Sequence, residues 1–131
     1  MTPAPVTVAS TDMVTSAAKA MKEHGVGAVP VVTDGLLTGI LTDRDITIRV
    51  LAEGQDPTAV RVGDVCTINV VAVGLDDDVD EAIQLVRERA VRRVPVIDDG
   101  VPVGIISIGD LALARDENSA LAEVSAAPPN I

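Results

Sequence analysis

The sequence predicts a mixed α/β (α+β) protein built from two copies of one β-α-β-β-α unit. Three observations support this fold class. The chain aligns with itself without a gap at a shift of 65 residues, Asp-Gly pairs separate Val/Ile/Leu-rich segments, and apolar residues elsewhere recur at helical spacing. Between Val6 and Asp45, 15 of 40 positions are identical to those 65 residues further on. This density indicates duplication of one supersecondary unit.

The first copy opens with a short strand, Val6–Val8, and a helix that runs to about His24. Residues 10–12 are candidate N-caps of this helix, and Gly25 is suited to end it in a left-handed conformation. The remaining predicted elements are a strand over 28–32, an Asp34-Gly35 turn, a strand over 36–41, an N-cap at Thr42 and a helix from Asp43 to about Glu53, ended by Gly54.

The second copy repeats this order. Its predicted elements are a strand over 71–73, a helix over 77–90, strands over 91–97 and 102–106 around Asp99-Gly100, and a last helix capped by Ser107. Residues 55–58 are the expected linker, residues 60–66 a short helical lead-in, and residues 118–124 a further short helix. The expected domains are therefore repeat 1 over 1–54, repeat 2 over 60–125 and a flexible tail over 126–131.

Composition excludes several classes of function. A net charge of −10 argues against nonspecific nucleic-acid binding and against anionic membrane surfaces, because both require an excess of Lys and Arg. No signal peptide or membrane-spanning stretch is expected, and the single Cys66 cannot form an internal disulfide, which favours the cytoplasm. One histidine, no metal-ligand cluster and no phosphate-binding G-K-[ST] loop predict a protein that is not an enzyme and needs no cofactor.

The repeated pattern h-x-V-P-V-h, D-G, G-h-h-[ST]-x-x-D resembles the CBS domain, named after cystathionine β-synthase. Copy one carries it from Val29-Pro30 to Asp45 and copy two from Val94-Pro95 to Asp110. The resemblance implies a Bateman module, with two repeats packed about a pseudo-twofold axis and adenosine-containing ligands bound in clefts between them. AMP, ADP, ATP and other adenosyl compounds all remain open as ligands, and a partner protein would respond to binding.

The strand-to-helix turn at Thr42–Asp45 is the candidate binding site in copy one. A helix start offers N–H groups to phosphate, the Thr42 hydroxyl and Arg44 add contacts, and the Asp45 carboxylate can accept both hydroxyls of a ribose. The resemblance supports these roles and implies that main-chain groups of a neighbouring strand read the adenine edge. The ligand-binding candidates are Ala28, Val29, Pro30, Thr42, Arg44 and Asp45 in copy one, and Arg93, Val94, Pro95, Ser107 and Asp110 in copy two.

Two alternatives stay open from the sequence. Thr42 and Ser107 are equally suited to be plain helix caps, with Asp45 and Asp110 as first-turn acids, and the protein would then be a ligand-free dimerisation or interaction scaffold. A homodimer is expected in either case. Its predicted contacts are apolar helix sides thought to face solvent, around Met13, Ala17, Met21, Val79, Ile83 and Val86.

Overall fold

The computed structural model describes residues 2–3, 6–68, 70–89 and 93–107. They form two compact units, one of Val6–Val70 and one that combines Thr2–Pro3 with the residues from Val71 onward. Each unit contains its own aliphatic core, and the mixed α/β fold class is confirmed. The predicted caps and helices beyond Ser107, including the helix over 118–124 and the tail, lie outside the described residues.

The described residues contain seven strands, four α-helices and one π-helix. The strands are β1 (Thr2–Pro3), β2 (Val8–Ala9), β3 (Ala28–Thr33), β4 (Leu36–Thr42), β5 (Val73–Gly74), β6 (Arg93–Asp98) and β7 (Val101–Ser107). The α-helices are α1 (Val14–His24), α2 (Asp43–Asp45), α3 (Val62–Val65) and α4 (Val79–Arg89). One sheet has the order β2-β3-β4 and the other β1-β7-β6-β5.

Both hairpins have the predicted Asp-Gly turn. Asp34 and Gly35 have φ values of 53° and 81°, and Asp99 and Gly100 have φ values of 50° and 79°. Positive φ at both central residues defines the type I′ turn, whose twist matches that of the flanking strands. The two hairpins share one register, because Ala28 lies opposite Thr42 in one and the residues 65 further on are paired in the other.

The apolar faces of α1 and α4 are buried inside their own units. Val14, Ala17 and Met21 lie in the first core, and the residues 65 positions later, Val79, Ala82 and Val86, lie in the second. Spacings of three and four residues place each set on one side of its helix. The expectation that Ala17, Met21, Val79 and Val86 face solvent was therefore wrong, since these side chains pack against the sheet of the same unit.

The start of α1 differs from the expected side-chain cap. Its N-cap is Met13, which makes no side-chain capping bond, and Asp12 accepts instead from the Ala9 N–H at 3.0 Å. The first two N–H groups of the helix, those of Val14 and Thr15, donate to the carbonyls of Val60 (2.9 Å) in the lead-in and Pro57 (3.2 Å) in the linker. Main-chain groups distant in sequence thus do what residues 10–12 were expected to do.

The linker has its own local structure. Asp56 accepts from both the hydroxyl (2.7 Å) and the main-chain N–H (2.9 Å) of Thr58. These two bonds, the side-chain bond first, lower the pKa of the Asp56 carboxyl. Such a turn, in which an aspartate bonds the chain two residues on, orders the residues that then reach α1.

A short segment that precedes the first strand of each repeat pairs with a strand of the other sequence copy. Thr67 exchanges two main-chain hydrogen bonds with Ile40 of β4, at 2.9 and 3.0 Å. Thr2 pairs in the corresponding register with Ile105 of β7. The compact units are consequently offset from the sequence repeats, with α3 packed in the first unit.

A glycine makes the first of these pairings possible. A Cβ atom at Gly39 of β4 would lie 2.9 Å from both the Cys66 sulfur and the Thr67 carbonyl oxygen. Real Cβ atoms do not approach other heavy atoms this closely, so the crossing of the lead-in segment over β4 requires glycine at this position.

The predicted second helix of copy one lies where expected, but its hydrogen bonding changes from α-helical to π-helical along its length. After α2, residues Ile46–Leu51 form a π-helix, in which the Ala52 N–H donates to the Thr47 carbonyl at 2.9 Å. The helix ends at Leu51, shortly before the predicted Gly54, which has a φ of 70°. π-Helical turns are uncommon and often occur at functional sites.

Candidate functional site

The described candidate site lies where β4 ends and α2 begins. The Thr42 Oγ1 accepts from the Asp45 main-chain N–H at 3.0 Å, and the Asp45 Oδ2 accepts from the Thr42 main-chain N–H at 3.0 Å. This reciprocal arrangement is a capping box, and it orients both side chains. It uses Oδ2 of the carboxylate and an acceptor site of the hydroxyl, so the Thr42 hydroxyl proton stays available as a donor.

The main-chain N–H groups at this helix start are already bonded. Besides the two groups of the capping box, the Asp43 N–H donates to the Gly27 carbonyl at 2.9 Å and the Arg44 N–H to the Asp43 Oδ1 at 2.9 Å. The expectation of free N–H groups for a phosphate was therefore wrong for this conformation, because internal acceptors satisfy all four. Side chains are what this turn can offer a phosphate.

The candidate base-binding strand lies beside this turn. Ala28 of β3 is directly opposite Thr42 in register, and Ala28, Val29 and Pro30 are all buried. Within the described residues β2 pairs with β3 only at Val31 and Val32, so β2 does not extend along the segment 28–30. Here β3 presents small aliphatic residues, and proline lacks the N–H that a continuing ladder would use.

Arginine 49 belongs to this arrangement although the sequence analysis did not single it out. Its Nε lies 3.8 Å from the Asp45 Oδ1, and an amino group of its guanidinium donates to the Val65 carbonyl at 2.9 Å. The signal in the sequence was an acid and a base four residues apart on a helix, a spacing that brings side chains together. Arg44, which was predicted to contact a ligand, is exposed.

The second predicted site is only partly described. Arg93 is exposed and lies opposite Ser107 in the β6–β7 register, while Val94 and Pro95 are buried. Asp110 lies outside the described residues, so its relation to Ser107 stays a prediction. Two further arginines of this copy, Arg87 and Arg89, lie in the last turn of α4 and are exposed.

Cys66 is a buried residue of the first core and is 8% exposed. Burial raises the pKa of its thiol, and the nearby Asp45 carboxylate acts in the same direction, while a backbone hydrogen bond and the Arg49 charge oppose them. A thiol in this environment stays protonated near neutral pH, which makes it a poor nucleophile.

No three His, Cys, Asp or Glu side chains in the ranges given above are grouped so as to hold a metal ion. Across the same ranges no helix is both long enough and apolar enough to cross a lipid bilayer.

Comparison with known proteins identifies relatives that match both sequence copies. Residues 1–52 and 62–117 each match the CBS domain family. The CBS domain-containing protein YhcV of Bacillus subtilis is 39% identical over 129 residues, which cover 95% of this chain and 91% of YhcV.

Solved structures with this fold differ in the groups they contain and in their assembly. A crystal structure of Hypoxic Response Protein I with two coordinated zinc ions matches with a TM-score of 0.77 and 37% identity, over 86% of this chain and 92% of that one. CBSX2 in complex with AMP matches with a TM-score of 0.71 and 28% identity, over 89% and 92%. A hexameric CBS-CP12 protein from bloom-forming cyanobacteria matches with a TM-score of 0.75 and 32% identity, over 88% and 69%.

Proposed function

Because this chain belongs to the CBS domain family, we propose that it is a non-catalytic regulatory module that binds an adenosine-containing nucleotide. The observation that carries the proposal is the capping box, which fixes the Thr42 hydroxyl and the Asp45 carboxylate beside the buried β3 segment 28–30. The AMP complex of CBSX2 supports an adenosine ligand. An unidentified partner protein would respond to the bound state.

Each side chain in the first site has a role set by the atoms it leaves available. The Asp45 Oδ1 makes no short hydrogen bond within the turn and would accept from a ribose hydroxyl. The Thr42 hydroxyl proton and the exposed Arg44 guanidinium would serve a phosphate, because the main-chain donors are bonded. Ala28, Val29 and Pro30 would hold the base by aliphatic contact, since the chain has no aromatic residue to stack on it.

The second repeat would provide an equivalent set of residues at the same register. It comprises Arg93, Val94, Pro95, Ser107 and Asp110. It lacks a counterpart of Arg44, because Gly109 stands 65 residues later. The first site in turn has Ala28 where the second has Arg93, so the two sites differ in where they place a cation. We expect the first site to bind a phosphate better, because Arg44 lies within the turn itself.

Calorimetry with AMP, ADP and ATP tests the proposal, with Asp45→Asn as the key variant. Asparagine can keep an acceptor for the Thr42 N–H but loses the charge and an acceptor for ribose. A charged hydrogen bond contributes about 1.5–3 kcal/mol, so affinity should fall roughly 10- to 100-fold. Asp110→Asn is the matched variant for the second repeat.

A 2′-deoxy analogue provides the control. It should bind more weakly than the ribonucleotide to the unmodified chain, and Asp45→Asn should weaken it little further. If neither aspartate variant changes the affinity of an adenosine ligand that binds, the aspartates are helix-capping residues only.

The capping box also favours a second candidate, a ligand-free scaffold, because it gives Thr42 and Asp45 a structural role without any ligand. No measurable binding of any adenosine compound would establish this alternative. In both cases we propose a homodimer, although the hexameric CBS-CP12 structure shows that a similar chain adopts a larger assembly. Light scattering at micromolar concentrations decides between a dimer and a larger assembly. A monomer mass would contradict both of these assemblies.

Absence of turnover is part of the proposal. Nucleotides incubated with the purified protein and separated by chromatography should be recovered unchanged. Hydrolysis that exceeds the molar amount of protein and disappears in Asp45→Ala or Asp110→Ala would contradict a purely regulatory role.

A further inference from the structure

Arg49 connects two parts of the first unit that the sequence analysis treated separately. One is the site helix, through Asp45, and the other is α3, through the Val65 carbonyl. The Arg49 side chain is 49% exposed and the Asp45 side chain 13% exposed, so the pair lies at the edge of the unit with the carboxylate on its inner side.

The contact with Asp45 orients the carboxylate without occupying it. Thr42 holds Oδ2 at 3.0 Å, whereas the Arg49 Nε is 3.8 Å from Oδ1, which is beyond hydrogen-bond length. The guanidinium attracts Oδ1 by charge and leaves its lone pairs open. A ribose hydroxyl would find this oxygen already in place, which lowers the cost of ordering it on binding.

The contact with Val65 fixes the other end of the guanidinium. Val65 is in the last turn of α3, where carbonyl groups have no partner within the helix and a cation is favoured. The next residues, Cys66 and Thr67, lead directly to the pairing with Ile40 of β4. The carbonyl that Arg49 contacts therefore lies two residues before the one that pairs with β4.

The sequence of the second copy has no arginine at the matching position. The residue 65 positions after Arg49 is Ala114, although the aspartate of the motif is present there as Asp110. Arg49 is thus not part of the repeated sequence pattern, whereas the aspartate is.

From this geometry we propose that Arg49 is a positioning residue, which orients the Asp45 carboxylate toward the ribose and links the occupied site to the segment 62–67. The proposal rests on the proposed function for its ligand. It adds a route by which binding at α2 reaches the segment that leads into the second repeat.

Amide hydrogen exchange tests the link without any ligand. The Cys66 N–H is bonded to the Val62 carbonyl and the Thr67 N–H to the Ile40 carbonyl. In Arg49→Ala both amides should exchange faster, by about two- to fivefold, the scale of a half-exposed charged contact. Lys22→Ala, which removes an exposed cation from α1, is the control and should leave both rates unchanged. Unchanged rates in Arg49→Ala overturn the link.

Nucleotide affinity tests the positioning role. Arg49→Ala should weaken AMP about two- to fivefold and leave its 2′,3′-dideoxy analogue unaffected, and Arg49→Lys should restore part of the loss. In an Asp45→Asn background Arg49→Ala should have no further effect, because the carboxylate it orients is gone. Equal losses for both ligands, or an undiminished effect in the Asp45→Asn background, overturn the positioning role.

The two measurements separate the possible failures. If no nucleotide binds, the proposed function and the positioning role both fail, and hydrogen exchange still decides whether Arg49 anchors the segment 62–67. If AMP binds through Asp45 and Arg49→Ala changes neither measurement, only the role of Arg49 is wrong.

Discussion

The Thr42 hydroxyl and the Asp45 carboxylate each accept a hydrogen bond from the other's main-chain N–H, and both bonds measure 3.0 Å. This pair begins the helix that follows β4. The same two side chains carry the proposed ribose and phosphate contacts. Stability and binding are therefore coupled at this turn, and variants can separate them.

Thr42→Ala should destabilise the fold by about 1 kcal/mol, because it removes the acceptor of the Asp45 N–H. Thr42→Ser keeps the hydroxyl and should lose much less. Urea unfolding without nucleotide measures both, with Thr7→Ala as an exposed threonine control. Equal stability of the Ala and Ser variants would show that the cap contributes nothing.

Gly39→Ala should be strongly destabilising, because the added Cβ would meet the Cys66 sulfur and the Thr67 carbonyl, each at 2.9 Å. Overpacking of this kind costs about 1–3 kcal/mol. Adding Cys66→Ala removes one of the two clashes and should restore stability only in part, since the carbonyl is main chain. An unfolding midpoint of Gly39→Ala equal to that of the parent chain would contradict the close crossing.

Gly35→Ala tests the turn in the absence of any clash. Gly35 has a φ of 81° and no atom within 4 Å of an added Cβ, so the cost is conformational only. A residue with a side chain pays about 1–2 kcal/mol in this region. Gly35→Asn should cost less, because asparagine adopts positive φ more readily. Urea unfolding distinguishes the two, and a larger loss for Asn than for Ala would be inconsistent with the turn.

The stability of the fold should decrease at alkaline pH because of the buried Cys66 thiol. The pKa of Cys66 is raised above its ordinary value of 9.0, chiefly by burial. A group whose pKa is higher in the folded state stabilises the fold fully below its unfolded pKa, and that contribution is lost as the pH rises through the folded pKa. The midpoint of unfolding should therefore decrease as the pH rises beyond about 9. Cys66→Ala should flatten this decline.

Thiolate absorbance provides a direct measurement of the same effect, since the chain has no Tyr or Trp to obscure the ultraviolet signal. The folded protein should titrate at higher pH than the urea-unfolded chain. Coincident titration curves would show that burial does not hold the proton on Cys66.

Local signals in the sequence identified most elements and part of the site. The Asp-Gly pairs specified both hairpins because few residues tolerate positive φ, and Gly25 and Gly54 marked helix ends for the same reason. The apolar spacing of α1 and α4 placed Val14 and Val79 on matching faces. The adjacency of Thr42 and Asp45 followed from a three-residue separation at a helix start.

The contacts between distant segments were not predictable in this way. Val60 and Pro57 replace a side-chain cap on α1, and internal acceptors occupy the N–H groups of α2, because these carbonyls approach only after the chain has folded. The apolar sides of α1 and α4 were likewise assigned to a dimer interface, which was wrong. Helical spacing shows which residues share a face but does not show which element packs against that face.

The sequence by itself determined the duplication, the mixed α/β class and the family. Turn, cap and apolar residues recur at matching positions in both copies, so sequence comparison alone is enough to detect them. Only the tertiary structure decided that Thr67 pairs with Ile40, that Gly39 permits the crossing, and that Arg49 reaches Val65. Each of these is a contact across at least 16 residues of chain, as for Arg49 and Val65. Such contacts depend on where whole elements pack, which no short stretch of sequence encodes.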